Sequence, residues 1–181
     1  TGTTPSRDNS SYYTPPEFSW VTSGETSAEF LFETKEYVSK RAVDETNVSI
    51  YPVGTLIVAM YGQGKTRGQV TELMIEAGTN QACAAIQLVD KSKYHRGYTK
   101  LFFEKAYDEL RSHAAGGAQP NLNVGKISLT VVQISPLEKP QCIVTKIDEF
   151  MALCGFLRNE INKLQAIQLK LAGAIVEHAL I

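Results

Sequence analysis

The C-terminal part of the chain, from Pro140 to Ile181, carries apolar residues spaced alternately four and three positions apart. An average spacing of 3.5 residues is typical of a helix that packs lengthwise against another helix. A helix of about 40 residues is roughly 60 Å long, which exceeds the size of any domain that the rest of the chain could form. The pattern therefore predicts a long helix whose apolar stripe needs a partner. This stripe, called the seam below, consists of Ile143, Ile147, Phe150, Cys154, Leu157, Ile161, Leu164, the polar Gln168, Leu171 and Ile175.

Ahead of this helix the apolar residues occur in short runs bounded by turn-forming residues, as in small sheets. A turn is predicted at Ala77–Asn80, and an amphipathic helix at Tyr98–Arg111. Because strands mostly precede helices without regular alternation, the pattern favours an α+β fold. We expect a globular domain over residues 1–135 and a helical segment over residues 136–181. The predicted strands are Ala28–Thr34, Val48–Pro52, Gly54–Met60, Gln69–Ile75, Ala82–Val89 and one or two within Asn121–Ile134.

The composition is that of an ordinary globular protein, with 43% apolar residues, 20% charged residues and a net charge of −1 over 181 residues. No apolar run approaches the ~18 residues that a membrane span needs. Cys83, Cys142 and Cys154 are too far apart to form a zinc motif, and their odd number argues against a disulfide framework. We therefore expect a cytoplasmic protein without a structural metal.

Local charge is less even than the average. Residues Glu17–Glu36 are rich in acids, whereas a later stretch contains four cations and no acid, with Tyr94 and Tyr98 among them. Cations interleaved with aromatic rings suit contacts to phosphates and stacking on bases. Composition alone is equally consistent with a solvated loop. The cations of this stretch are Lys91, Lys93, Arg96 and Lys100.

A second basic motif, Ala59–Thr66, resembles a phosphate-binding loop and follows an apolar run. In such loops a helix begins at the Lys-Thr pair. Here Lys65 and Thr66 are followed by Arg67, Gly68 and β-branched residues, which are poor helix formers. A nucleotide-binding protein using Lys65 and Thr66 is thus the alternative function. We favour a glycine-containing hairpin that offers Lys65 and Arg67 to a polyanion, and expect all six cations to lie on one surface with the tyrosines.

The remaining candidates for chemistry have structural interpretations. Nucleophilic catalysis by Cys83 would need a paired histidine, and no histidine lies near it in the sequence. Asn80 and Gln81 precede an apolar run, where such side chains commonly bond backbone groups of a turn. No catalytic residue and no metal ligand is predicted. A third hypothesis, a coiled-coil assembly protein whose head binds another protein, stays open on these patterns.

Several short motifs follow one another along the chain. They begin with Gly2-x-Thr4-Pro5-Ser6 and Trp20, and continue with Tyr51-Pro-x-Gly54-Thr and Gly64-Lys-Thr-Arg-Gly68. The later ones are Thr79-Asn-Gln-Ala-Cys-Ala84, Gln119-Pro-Asn-Leu122, Ser135-Pro-Leu, Gln141-x-Ile-Val-x-Lys-Ile-Asp-Glu149 and Met151-Ala-Leu-Cys154. In their order and spacing these motifs resemble the specificity subunit of type I restriction–modification systems.

The resemblance implies a non-catalytic target-recognition domain that binds one half of a split DNA site, followed by a helix that acts as a spacer. Whole subunits of that family usually carry two such units with antiparallel helices, whereas this chain has one, so it is a half-subunit, natural or cut from a longer chain. The implied partners are double-stranded DNA, a methyltransferase subunit using S-adenosylmethionine and a restriction subunit using Mg-ATP. A half-subunit is further expected to form a homodimer through its helix.

Overall fold

The computed structural model describes residues 1–62, 65–109, 122–133, 136 and 138–179, with side chains described in the last helix except at 174 and 176–179. The chain divides into two compact units, Thr1–Ser135 and Pro136–Ile181. The first unit is called the head. Within the described residues it combines mixed sheets with short helices, so the predicted α+β class is confirmed.

Two small sheets form the centre of the head. In the three-stranded sheet the order is β3-β1-β6, with β1 antiparallel to β3 and parallel to β6. In the four-stranded sheet the order is β2-β5-β4-β7, with β4 antiparallel to both neighbours and β2 parallel to β5. The strands are β1 Phe18–Val21, β2 Phe30–Leu31, β3 Glu36–Val38, β4 Leu56–Ala59, β5 Val70–Leu73, β6 Ala77–Thr79 and β7 Cys83–Ile86.

Helices cover the outer faces of the two sheets. Helix α2 (Lys93–Lys105) places Phe103 on Leu56 and Val58, on one face of the four-stranded sheet. The shorter α3 (Val124–Ser128) joins the same cluster, and α1 (Lys40–Glu45) packs on the three-stranded sheet beside Trp20. Two 3-10 turns, Ser10–Tyr12 and Ser23–Glu25, precede β1 and β2.

The interior between the two sheets is apolar. Val21 and Ala77 of the three-stranded sheet meet Ile57 and Leu73 of the four-stranded sheet, and all four are fully buried. Each buried Val, Leu or Ile contributes roughly 1.5–3 kcal/mol relative to an exposed position. The head is therefore layered in the order α2, four-stranded sheet, three-stranded sheet and α1.

The N-terminal segment is tied to the body of the head by side-chain contacts. The hydroxyl of Thr4 contacts the Gln81 side chain, and the Tyr13 hydroxyl donates to the Pro5 carbonyl over 2.7 Å. The Arg7 guanidinium lies over the Tyr13 and Trp20 rings. Trp20 is 1% exposed, so its ring anchors this segment in the core of the head.

The second unit is a single helix, α4, over Glu138–Ala179. The predicted long helix is confirmed, with Pro140 in its first turn, where a missing N–H costs nothing. Gly155 does not interrupt it, and an added Cβ there would meet no atom within 4 Å. The larger seam side chains are 41–68% exposed, apart from the half-buried Ile147. The apolar stripe is thus present and uncovered in the single chain.

Four predictions about local structure are wrong. Val48–Pro52 forms only an isolated bridge between Tyr51 and Ala77, and the predicted Ala77–Asn80 turn is the start of a strand, β6. Within Asn121–Ile134 the described residues contain α3 in place of a strand. The predicted strand Ala28–Thr34 shrinks to the two residues of β2. The predicted C-terminal end of the Tyr98–Arg111 helix lies outside the described residues.

We expect Gly2→Ala to lower the melting temperature. Gly2 is buried, and a Cβ at this position would lie 1.6 Å from the Thr79 carbonyl oxygen. The backbone must shift to relieve this overlap, which costs roughly 1–3 kcal/mol in well-packed sites. Differential scanning calorimetry measures the change. Gly24→Ala is the matched control, because its Cβ would meet nothing within 4 Å. Equal melting temperatures for the two variants would contradict the close approach.

Candidate nucleic-acid interface

Most of the basic stretch, for which a solvated loop was one interpretation, is the first part of a helix. Residue Ser92 caps α2, its hydroxyl accepting from the Tyr94 N–H over 3.3 Å. The Asp90 carboxylate accepts from the Ser92 N–H over 2.8 Å and contacts the His95 ring. These contacts, the backbone bond first, lower the pKa of Asp90. An Asp and a Ser ahead of the helix are a start signal that the sequence analysis missed.

The helical path places the predicted residues on two opposite faces of α2. Tyr94 and Tyr98 are four residues apart and lie on the outer face, which continues through Leu101 to Lys105. Their side chains are half-buried, and Lys105 is exposed. The inner face, which includes Thr99 and Phe103, is buried on the four-stranded sheet. The helical conformation therefore places residues that are close together in the sequence on opposite faces of α2.

Arg96 points to the sheet and forms an ion pair with Glu72 of β5. Its Nε lies 2.6 Å from Glu72 Oε1, and the two side chains are 26% and 9% exposed. The guanidinium also lies against Gly54, where a Cβ would come within 3.1 Å of it and where φ is +85°. Glycine suits this position on both counts. Arg96 is thus engaged inside the head.

Lys100 is more deeply buried. Its side chain is 6% exposed, and Nζ lies 3.3 Å from Glu29 Oε1, 3.8 Å from Glu104 Oε1 and 4.1 Å from the centre of the Phe30 ring. Burial raises the pKa of Glu104, although the Lys100 charge opposes that rise. The expectation that Lys100 lies on the surface of the head is wrong, because its side chain is buried against Glu29, Glu104 and the Phe30 ring.

The motif at Ala59–Thr66 is not a phosphate-binding loop. After Thr66 the chain turns at Gly68, whose φ is +89° and whose N–H donates to the Ala59 carbonyl over 2.8 Å, and then enters strand β5. No helix begins at Lys65–Thr66, so the described residues do not support the nucleotide-binding alternative. The preferred hairpin interpretation agrees with the antiparallel pairing of β4 and β5. Gln63 and Gly64 lie outside the described residues.

Lys65 lies beyond the C-terminal end of α2. The Lys65 carbonyl oxygen accepts a hydrogen bond from the Tyr107 hydroxyl over 2.6 Å. At the other end of the helix, Lys91 lies just before α2 and Lys93 is its first residue. The 13 residues of α2 cover about 20 Å at 1.5 Å per residue. That length exceeds the ~12 Å width of a DNA major groove. Lys91 and Lys93 thus lie at one end of α2, and the Lys65 backbone lies near residues that follow its other end.

These end cations differ from Arg96 and Lys100 in their surroundings. Within the part of the chain that the structure describes, no ion pair engages Lys65, Lys91, Lys93 or Lys105. The Lys93 ammonium lies 5.0 Å from the centre of the Tyr94 ring. Arg67 is half-buried in the turn that follows Thr66. Lys105 was not predicted from the sequence, and its spacing of 11 residues from Tyr94 is the signal that could have found it.

The residues predicted as scaffold are bonded within the head. The Asn80 side-chain oxygen accepts a hydrogen bond from the Ala82 N–H over 3.0 Å, and the backbone N–H of Asn80 donates to the Val21 carbonyl over 3.1 Å. The prediction for Asn80 is confirmed. Gln81 meets the Thr4 hydroxyl, so its partner is a side chain where a backbone group was expected.

Cys83 lies in the core between the two sheets. Burial, with a smaller effect of the Glu25 carboxylate, raises the pKa of its thiol to about 12. Cys142 and Cys154 are exposed, and none of the three forms a disulfide. In the described residues there is no group of three or more His, Cys, Asp or Glu side chains that could hold a metal ion. No described helix is long and apolar enough to cross a membrane.

An α+β head with cations at both ends of a surface helix, in one chain with a 42-residue helix, defines a candidate DNA-recognition module. The chain belongs to the type I restriction modification DNA specificity domain family, whose model matches residues 1–166. The match includes the whole head and most of α4, so both units belong to the family.

Solved structures have the same fold. The HsdS subunit from Thermoanaerobacter tengcongensis matches with a TM-score of 0.64 and 12% identity, over 87% of this chain and 35% of that one. A chain from a structure concerned with complex assembly and conformational transition of the type I R-M system matches with a TM-score of 0.64 and 15% identity. This second match covers 91% of this chain and 38% of the other. The chain thus spans just over a third of the proteins that it resembles.

We expect the Cys83 thiol to resist alkylation by iodoacetamide at pH 8 in the folded protein and to react on unfolding in urea. A buried thiol with a pKa of about 12 holds almost no thiolate at that pH. A variant with Cys142→Ser and Cys154→Ser isolates the signal for mass spectrometry. Rapid alkylation of the folded variant would contradict the burial of Cys83.

Proposed function

We propose that this chain supplies DNA sequence specificity to a type I restriction–modification complex by binding one half of a bipartite target. The observation that carries the proposal is the family match over residues 1–166. The placement of Lys65 and Lys91 beyond opposite ends of α2 supports it, because DNA affinity comes largely from phosphate contacts. Tyr94, Tyr98 and Lys93 are candidates for the same surface.

In this proposal the chain carries out no chemistry. The methyltransferase subunit docks on it and holds S-adenosylmethionine, and a restriction subunit, where one joins, uses Mg-ATP. The high pKa of Cys83 supports a non-catalytic role for the thiol that sequence analysis had considered. The similarity to a chain from a type I R-M structure concerned with complex assembly supports a role in assembly.

We further propose that the isolated chain forms an antiparallel homodimer through the seam. The seam runs from Ile143 to Ile175 and is largely exposed in the single chain. Since each Leu or Ile that becomes buried contributes about 1.5–3 kcal/mol, pairing outweighs the cost of burying one Gln168 per chain. Antiparallel pairing would put one head at each end of the paired helices, as a split DNA site requires. A two-fold dimer would recognise a palindromic split site.

We expect Lys65→Ala combined with Lys91→Ala to weaken binding to all duplexes alike. Each lost phosphate contact reduces the slope of log affinity against log salt by about 0.9, so the pair should reduce it by about 1.8. Fluorescence anisotropy with a random-sequence duplex over a salt series measures this slope.

Lys40→Ala is the control for these two substitutions. Lys40 is an exposed cation on α1, which covers the three-stranded sheet, while α2 covers the four-stranded sheet. Its loss should leave both affinity and slope unchanged. Absence of salt-dependent binding in the unmutated chain would overturn the proposed function, and an unchanged slope in the double variant would overturn the placement of the interface.

Sedimentation velocity should show a dimer that Leu157→Asp with Leu164→Asp converts to a monomer or an aggregate. Both leucines lie in the seam, where a carboxylate would be buried without a partner. Leu169→Asp is the control, because Leu169 is also exposed apolar surface, at 75% against 50% for Leu157 and 65% for Leu164, but lies outside the seam. A folded monomer at high micromolar concentration in the unmutated chain is the result that contradicts dimerisation.

The direction of pairing can be tested through Cys154, which is in the seam. Parallel, in-register helices would bring the two Cys154 side chains together, whereas antiparallel helices centred on Asn159 would place Cys154 opposite Leu164. Mild oxidation of a Cys142→Ser variant should therefore give no crosslink. A Leu164→Cys variant of that chain should crosslink efficiently, whereas a crosslink that forms already in the Cys142→Ser variant would show parallel pairing.

A further inference from the structure

We infer that Arg96 and Lys100 are positioning residues that fix the orientation of α2, and that Lys105 is an additional DNA-contacting residue on its outer face. This inference rests on the proposed function. It assigns different roles to cations that are close together in the sequence, according to the face of α2 on which each lies.

The first argument concerns Arg96 and its surroundings. The ion pair with Glu72 joins α2 to β5 over 2.6 Å, and Glu72 is nearly fully buried. The guanidinium also lies against Gly54, just ahead of β4. One side chain near the start of α2 therefore contacts two neighbouring segments of the four-stranded sheet. An arginine so held is a poor phosphate ligand, because leaving would strand the buried Glu72 carboxylate without a partner.

The second argument concerns Lys100, one turn further along the same face. Its ammonium contacts Glu29 and the Phe30 ring, at the edge strand β2, and approaches Glu104 of its own helix. With 6% of its side chain exposed, it has almost no surface to offer a phosphate. Arg96 and Lys100 together fix both the rotation of α2 about its axis and its height above the sheet.

The third argument concerns the opposite face. Positions 94, 98, 101 and 105 follow the spacing of four, three and four residues that keeps side chains on one side of a helix. Tyr94 and Tyr98 offer ring faces and hydroxyl groups, and the exposed Lys105 adds a charge at the far end. Because the two ion pairs fix the rotation of α2, this face has a defined direction. Small errors in that direction would move every side chain of the face together.

The test uses the full chain and two duplexes, one of random sequence and one that the unmutated chain enriches from a random pool. Circular dichroism and a melting curve first establish which variants are folded at the assay temperature. For each folded variant, two quantities are measured by anisotropy. They are the salt slope, which counts phosphate contacts, and the specificity ratio, which is the affinity for the enriched duplex divided by that for the random duplex.

We expect Lys105→Met to reduce the salt slope by about 0.9 on both duplexes. Lys100→Met keeps the length of the side chain but removes its charge, and should leave the slope unchanged. The specificity ratio of the Lys100→Met variant should fall at least about fivefold, which is the lower end of what one base contact contributes. The expected reason is that the outer face of α2 is no longer held in one orientation. A purely structural lysine would lower the melting temperature and leave this ratio as it was.

A charge exchange tests the ion pair between Arg96 and Glu72. Arg96→Glu and Glu72→Arg should each lower the specificity ratio, and the double exchange should restore it with the original slope. Where a single exchange variant does not fold, Arg96→Lys replaces it, since lysine keeps the charge but lacks the guanidinium fork. It should lower the ratio at an unchanged slope.

The inference is overturned if Lys100→Met reduces the slope by about 0.9 or leaves the ratio unchanged, or if Lys105→Met has no effect on the slope. These outcomes concern the variants alone. Failure of the proposed function would instead appear in the unmutated chain, as the absence of salt-dependent binding to either duplex.

Discussion

Burial of the strand β4 on both faces is the constraint on which the head depends. Leu56 and Val58 face α2, while Ile57 faces the three-stranded sheet, and all three are fully buried. A strand with two apolar faces cannot lie at a surface, so it requires a layer on each side. The position of α2, and with it the candidate DNA interface, therefore follows from the sequence of one four-residue strand.

The same burial explains which elements were predictable. The run around β4 is continuous and apolar, so its strand character was evident from the sequence, whereas β5 includes the polar Thr71 and Glu72 between Val70 and Leu73. The seam of α4 was equally clear, because its period extends over more than thirty residues. Strand β6 was missed since Ala77-Gly78-Thr79 resembles a turn. Trp20 and Val48 pack tightly against Gly78, where an added Cβ would lie 3.1–3.2 Å from their side chains.

The sequence indicates the segment that carries the candidate site, but not which of its side chains face the interior of the head. The density of cations between Lys91 and Lys100 marked the segment that contains the start of α2, yet only the helical path shows which charges face inward. Sequence gives no sign that Lys100 pairs with Glu29, because the two are 71 residues apart. An ion pair between distant segments, here the buried Lys100 and the exposed Glu29, is a property of the folded packing. Lys105 was overlooked for the related reason that it lies beyond the visible cluster.

The attachment of α2 has a consequence for how such a head could change its target over evolutionary time. The groups that hold the helix, Glu72, Gly54 and Glu29, belong to segments outside it. Positions on its outer face take no part in that attachment. Under the proposed function, substitutions there could alter the DNA sequence recognised at little cost in folding free energy. The domain would then serve as a fixed frame on which new specificities arise by changes along a single helix face.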